Sequence, residues 1–449
     1  MGIKCNRSSR HQTKGKEDMN NKKNLKMKPV GSEYMEQYNA LLRYVFQVTE
    51  QELSSIGWQE REIIRAKFPT MEKADVIGWF DNDTLVSQVA VYPMHVRIFG
   101  QTYAMGGLTG VGTYPEYSNM GLMHKLLEQA LKNMKERGQD ICYLYPYSIP
   151  YYRRKGWEII SDKISYEIKD YQLPKNHQVP GDVRRVDTEG EELKETYKRY
   201  AMRTHGAILR DDLAWNEYWL WDSDDIMAAI YYNEKNEPDG YVIYWIAKEV
   251  FHIKDMIFNN EEARTGLWNF VAAHFSMINQ VEGDTYTDEP LAFLLEDASI
   301  KEVISPYYMG RIVDFVSFIE KYPFKPSVLD REWKFRLVDP IMECNQGNFH
   351  LIISRDGHGQ VMRIMEPCED TINIQTMTTM LMGYKRPEYL AKIGRIQAAE
   401  WTIDMPVCIL VSVVALFPML YRNKIARIDG VFTLLIYSSY LIYICRGNL

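Results

Sequence analysis

The run Val111–Gly112–Thr113–Tyr114–Pro115, followed by Ser118–Asn119–Met120–Gly121–Leu122–Met123, constrains this chain more than any other stretch. It reads as a strand that ends at a proline, turns tightly and opens a helix near Asn119 or Met120 that runs to Arg137. Leu122, Leu126, Leu127, Ala130, Leu131 and Met134 then share one apolar face of that helix. A turn of this kind leaves several main-chain N–H groups unpaired, with the positive end of the helix dipole behind them. Such a spot binds an anion, for example a pyrophosphate. Gly121 fits there because a side chain would hold the anion away from the amides. Taken alone, a strand–turn–helix with one glycine is also ordinary α/β architecture.

The next stretch of chain narrows the reading. Ile141–Cys142–Tyr143–Leu144–Tyr145 reads as a buried strand, then comes Pro150–Tyr151–Tyr152–Arg153–Arg154–Lys155–Gly156–Trp157, and Trp157–Ile160 is a further strand candidate. Here the chain resembles the GNAT superfamily of N-acetyltransferases, which bind acetyl-coenzyme A. The superfamily's phosphate turn, Arg/Gln-x-x-Gly-x-Gly/Ala, begins at Ser118 in this numbering. Its later hallmark is matched by Tyr151, Tyr152, Arg153, Gly156 and Trp157. Two departures are visible: Ser118 replaces the arginine or glutamine and removes a cation, and Met123 replaces the small residue.

At 449 residues the chain is long enough for two to four domains. A hydrophobic fraction of 46% and an aromatic fraction of 13% supply several packed cores. The formal net charge of −7 argues against a nucleic-acid binder and suits a cationic small molecule better. Six scattered cysteines and nine dispersed histidines give no metal-ligand spacing, so no metal is expected, and the cysteine usage fits a reducing, cytoplasmic setting. No signal-peptide apolar core stands at the start, and Asn6 sits where a myristoylation signal wants Ser or Thr.

Residues 1–28 are rich in Lys, Asn and Ser and read as a disordered extension, with Met19 as an alternative start. From 29 to 170 the order is a helix pair (Tyr34–Phe46, Ser54–Phe68), a strand meander (Ala74–Phe80, Thr84–Tyr92, His95–Phe99), and then strand–turn–helix–strand. Residues 171–308 repeat the theme faintly, with strands at Ile226–Tyr232, Gly240–Ala247 and Phe251–Phe258 and a helix at Glu261–Met277. Gly266 follows its strand at about the distance Gly121 follows its own, but Asn259–Asn260–Glu261–Glu262 puts acids where a phosphate needs a positive end. A duplicated unit that lost its cofactor is the expectation. Residues 309–405 alternate as an antiparallel sheet and close with helices at Asn373–Met382 and Arg386–Arg395. This third segment resembles a sterol-carrier-protein-like domain. The expected fold class is thus α/β (α+β): two tandem GNAT-like mixed sheets with flanking helices, then an α+β domain.

That order, over roughly 30–405, is similar to the enhanced intracellular survival (Eis) acetyltransferase family, known for acetylating aminoglycosides. The resemblance implies coenzyme A contacts at Val111, Thr113, Ser118, Asn119, Gly121, Leu122 and Met123, a general acid at Tyr152, and hexameric assembly. It implies acetyl-CoA and an amine-bearing small molecule as partners. The chemistry needs a neutral amine, a positioned thioester and a proton for the departing thiolate. A tyrosine with a reference pKa of ~10 is protonated at working pH and can supply that proton; the residues alone leave open a core tyrosine beside Tyr151. Direct attack requires no covalent intermediate. Cys142, inside an apolar strand, reads as a structural thiol. Protein lysine is a second acceptor class, and a non-catalytic acetyl-CoA- or lipid-binding scaffold is the rival from another class.

Residues 406–449 break the pattern. Val407–Tyr421 and Val431–Cys445 are apolar but shorter than the ~20 residues that span a bilayer, and Arg422–Arg427 between them is basic. The expectation is an aberrant, frame-shifted tail ahead of a membrane hairpin. The resembled family ends in a carboxylate that serves as base, and here that end is displaced.

Overall fold

The computed structural model describes residues 24–55, 60–175, 177–219, 225–286 and 291–397. The extension before Asn24 and the apolar tail lie outside the described residues. Three mixed sheets with flanking helices make up the described chain. The first is ordered Leu25–Pro29, Asp75–Asp81, Thr84–Ile98, Gln101–Thr113, Ile141–Leu144, Met309–Ile312, Glu158–Ile159. The second is ordered Lys301–Pro306, Asp162–Lys169, Gln280–Tyr286, Val250–Phe258, Pro238–Ala247, Met227–Tyr232, Asp182–Val186. The third, Gly359–Ile364, Gly347–Ile353, Arg331–Val338, Asp370–Asn373, Ile396–Gln397, packs under helices Phe315–Lys321 and Ile374–Leu381.

Folded structure starts before residue 29, a correction to the expected extent of the disordered extension. Leu25–Pro29 pairs with Asp75–Asp81 as an edge strand. Its lysines make the segment look solvated, yet an edge strand tolerates and uses them: Met27 packs on the core, and Lys28 lies 4.1 Å from the Phe80 ring centroid and donates to the Tyr34 hydroxyl at 2.6 Å. Thr84–Ile98 is one strand where two were expected. Pro93 faces Gly106 on one side, and on the other it falls between the partners of Val91 and His95, so its missing N–H breaks no ladder there.

The sheets exchange strands. Met309–Ile312, which follows the second unit in sequence, inserts between Ile141–Leu144 and Glu158–Ile159 of the first sheet. Asp162–Lys169, which precedes that unit, sits between Gln280–Tyr286 and Lys301–Pro306 of the second. Ile208–Leu209 adds to the first sheet beside Val96 and His95. A cut at residue 170 or 308 therefore separates neither sheet cleanly.

Arg311, on the inserted strand, is fully buried and joins three parts of the chain. It donates to the Lys155 carbonyl at 2.5 Å and makes a bidentate pair with Asp339 of the third unit at 2.6 and 2.8 Å. Gly156 makes room for it: at a φ of +92°, a Cβ there would stand 1.6 Å from the guanidinium. One apolar core runs from Val96, Tyr103 and Ile141 of the first sheet to Phe335, Leu337 and Phe349 of the third.

Candidate active site

The helix after the turn spans Leu122–Glu136; Leu122 is buried at its start, and Leu126, Leu127, Ala130, Leu131 and Met134 are buried against the first sheet. Anchored by that face, its start is held at the end of strand Gln101–Thr113. Two left-handed residues, Asn119 (φ 62°) and Gly121 (φ 76°), turn the chain into it. Among the described residues no partner is present for the main-chain amides of Asn119 to His124; the next one, Lys125, reaches the Gly121 carbonyl at 3.3 Å. A Cβ at Gly121 would meet nothing within 4 Å, so the space over these amides is open. The first turn holds no acid.

Beside this turn the sheet opens. Gln101–Thr113 runs parallel to Ile141–Leu144, and the two pair only at Met105, Gly106 and Gly107 opposite Ile141, Cys142 and Tyr143. Beyond Gly107 the first strand keeps its other neighbour alone and carries a bulge: Gln88 pairs with Gly112 and Ala90 with Thr109, leaving one residue opposite two. Gly110 takes the bulge at a φ of +60°, and a Cβ there would stand 2.4 Å from the Tyr38 hydroxyl. A wedge between parallel strands, with free edge groups on one side and bare amides at its mouth, can accept an extended polar arm with a diphosphate at one end.

The eight candidate residues divide by what they offer this wedge. Ser118, Asn119 and Gly121 are exposed on the turn. Leu122 is buried and Met123 packs on the same core, so only their main chains face the turn; the Leu122 carbonyl also accepts from Trp79 Nε1 at 3.1 Å. Val111 is partly buried on that core, and Thr113 Oγ1 lies 2.7 Å from Ser87 Oγ. Where Ser118 leaves the turn without a cation, His124 Nδ1 and Lys155 Nζ meet 2.9 Å apart.

Tyr152 lies in the short helix Ile149–Arg153, with its ring edge-on to Tyr151 at 5.3 Å and to Trp157 at 6.0 Å. The ring is 6% exposed and packs in the cluster of Leu108, Cys142 and Leu144, the residues at the throat of the wedge. Its hydroxyl makes no hydrogen bond within the described protein, and it is absent from the sealed, unpartnered polar atoms. Burial, and then the neighbouring Tyr151 and Cys142, push this phenol above the ordinary tyrosine value. The phenolate is thus costlier than the reference value alone implies. Cys142 is sealed, and burial pushes its thiol up to about 12, which removes the thiolate a nucleophile would need.

The second sheet repeats the wedge without its mouth. Val250–Phe258 pairs in parallel with Gln280–Tyr286 only from Val250 to Ile253, and its bulge falls at Lys254. The helix after it, Glu261–Ala272, begins with Glu261 and Glu262, and Asn260 Oδ1 caps the Ala263 amide at 2.8 Å. Gly266 lies inside this helix, not before it; a Cβ there would strike the Tyr231 ring at 2.4 Å. Close packing, not phosphate, accounts for it.

Known protein families match the three units in turn. Residues 26–160 and 206–312 each match an acetyltransferase (GNAT) domain family, and residues 315–410 match a sterol carrier protein domain. An uncharacterized N-acetyltransferase of Streptomyces avermitilis is 22% identical over 363 residues, 73% of this chain and 83% of that protein. The chain thus carries two GNAT acetyltransferase domains followed by a sterol carrier protein domain. A protein of unknown function from Enterococcus faecalis V583, described as a probable N-acyltransferase, shares 27% identity at a TM-score of 0.76 over 83% of this chain and 94% of that one. Eis1 from Mycobacterium abscessus shares the fold, with a TM-score of 0.67 and 17% identity over 84% and 94% of the two chains. GNAT domains use acetyl-CoA, and the open, amide-lined mouth of the first wedge fits that substrate. Among the described residues there is no cluster of metal-ligating side chains, and no helix is long and apolar enough to cross a membrane.

Sequence reading missed Trp79, Tyr38 and Arg311. All three reach the site region from distant segments, and no local pattern marks them.

Proposed function

We propose that this Eis-like protein transfers the acetyl group of acetyl-CoA to amines of cationic small molecules, aminoglycosides among them, by direct attack, with Tyr152 as general acid. The observation that carries this reading is the wedge beyond Gly107 opening beside the unpartnered amides of residues 119–124. Those amides and the Gly121 turn hold the diphosphate, and the wedge takes the pantetheine arm. Val111 and Thr113 line it with Ser118, Asn119, Leu122 and Met123 at its mouth. Free main-chain donors on the strand edge polarise the thioester carbonyl.

The amine nitrogen forms the new C–N bond as the C–S bond breaks, and the sulfur takes the Tyr152 proton. The phenolate then recovers a proton from the acylated nitrogen. Because burial holds the phenol protonated across the working range, Tyr152 is a donor at every working pH. The net charge of −7 supports a cationic acceptor. Thiol release from acetyl-CoA with kanamycin or spermidine tests the reading. No release with either acceptor, together with no calorimetric binding of acetyl-CoA, overturns it.

A further inference from the structure

The cation that Ser118 leaves out of the phosphate turn has a source on a different element. His124 is the third residue of helix Leu122–Glu136 and is exposed. Side chains of a helix lean toward its N-terminus, so the ring inclines to the turn at Gly121. Lys155 lies just beyond the short helix Ile149–Arg153, and its Nζ meets His124 Nδ1 at 2.9 Å. The base of this lysine is fixed. Its amide donates to the Tyr152 carbonyl at 2.9 Å, and its carbonyl accepts from the buried Arg311 at 2.5 Å. The side chain is partly buried and its ammonium reaches the start of the neighbouring helix.

Nothing in the protein answers this charge. Lys155 makes no ion pair among the described residues, and the charge that bears on it is the like charge of Arg154. The first turn of the helix holds no acid; the first acid along it, Glu128, pairs with Lys132 at 2.7 Å. A cation beside the positive end of a helix dipole is unfavourable. Burial, and then Arg154, lower the Lys155 ammonium below the ordinary lysine value, which is the signature of a cation held without a counter-charge. The arrangement becomes favourable once an anion lies on the bare amides of Asn119 to His124, within reach of the ammonium. Because Nδ1 accepts from Lys155, the neutral His124 ring carries its proton on Nε2, and two ammonium hydrogens of Lys155 stay available. The second domain shows the opposite balance: its helix starts with Glu261 and Glu262, and Arg264 pairs with Glu261.

We propose that Lys155, steadied by His124, is the cation that holds the diphosphate of acetyl-CoA on the Gly121 turn, in place of the one missing at Ser118. This rests on the acetyl-transfer reading above. The ammonium donates to a diphosphate oxygen at the mouth of the wedge, adding a charge-assisted bond to those from the main-chain amides. The grip on the nucleotide and the general acid then share one short stretch of chain, Tyr152 to Lys155, whose backbone Arg311 fastens from below.

Calorimetry on the full chain tests this. Lys155→Met should weaken acetyl-CoA binding about 30-fold, the loss of one hydrogen bond to a charged group. Lys155→Arg, which keeps the charge, should stay within about threefold of wild type. 3′-Dephospho-acetyl-CoA should show the same loss in Lys155→Met, because it retains the diphosphate. Adding Ser118→Arg to Lys155→Met should recover most of the affinity, since it returns a cation to the turn; a merely structural lysine would not be rescued from there. Lys132→Met removes the same charge further along the same helix and should leave affinity within about twofold. Near-wild-type affinity in Lys155→Met, no recovery with Ser118→Arg, or a loss that vanishes with 3′-dephospho-acetyl-CoA overturns the proposal. So does an equal loss in Lys132→Met. Failure of wild type to bind acetyl-CoA overturns the acetyl-transfer reading instead.

Discussion

The two GNAT domains are built on one scaffold and differ at the start of one helix. Each sheet carries a bulge beside a pair of parallel strands that part after a few residues. In the first domain the bulge residue is Gly110 and the helix begins with bare amides after Gly121. In the second, the bulge holds Lys254 and leads to Asp255, whose carboxylate is occupied by Arg210 at 3.2 Å and the Tyr241 hydroxyl at 3.0 Å. Its helix start is capped by Asn260 and made negative by Glu261 and Glu262. A cleft of about 70 Å³ remains there, lined by Lys254, Asp255, Tyr286 and Tyr307 among others. The strand geometry is therefore shared scaffold, and what separates the two domains is whether a few amides and one helix end are left unanswered.

The joint between the domains sets the largest expected effect. Arg311→Met leaves Asp339 buried without its cation and should destabilise the protein by about 3–5 kcal/mol, read as a lower denaturation midpoint. If the midpoint hardly moves, the amides of Ile341 and Met342 and the Asn345 side chain suffice for Asp339, and the strand exchange is less firmly tied than it looks.

Tyrosines at the two wedges give the next contrast. Tyr152→Phe should cut kcat about 100- to 1,000-fold with acetyl-CoA affinity unchanged, by loss of general-acid assistance. Tyr286→Phe, in the second cleft, should leave thiol release unaltered. Equal effects would mean that the second wedge takes part in the reaction.

The two glycines should fail in opposite ways. Gly121→Val meets open space, so it costs only about 1–2 kcal/mol for its left-handed backbone, but it should weaken acetyl-CoA binding at least about tenfold. Gly266→Val overpacks Tyr231 and should cost about 1–3 kcal/mol of stability with acetyl-CoA affinity intact. Calorimetry and thermal melts on both variants separate the two outcomes. Smallest of all, Asn260→Ala removes one helix cap and should cost about 1 kcal/mol, again without touching acetyl-CoA binding. A gain in acetyl-CoA sites on this change would show that the cap alone closes the second turn.

Much of the first domain was legible because its information is local. The apolar stripe from Leu122 to Met134, the proline that ends a strand and Gly121 before the helix lie within one stretch of chain, where periodicity and backbone sterics act directly. The acids at Glu261 and Glu262 likewise announce a negative start to the second domain's helix from their place in the chain alone. Tyr152 was legible as a residue type in a pattern, but its burial, which raises the cost of the phenolate, was not. The edge strand Leu25–Pro29 was hidden by its lysines, since composition does not reveal that an edge position keeps them solvated while Met27 turns inward.

The amino-acid sequence by itself determined the fold class, the presence of an amphipathic helix after the turn (expected from Asn119 or Met120, observed from Leu122) and the different charge at the two helix starts, because these follow from side-chain periodicity and from charge next to a helix end. Only the tertiary structure decided that strands 162–169 and 309–312 change sheets and that Arg311 meets Asp339. Those contacts join residues far apart in the chain. Burial, shape and the exclusion of water select them, and none of these is a property of any single segment.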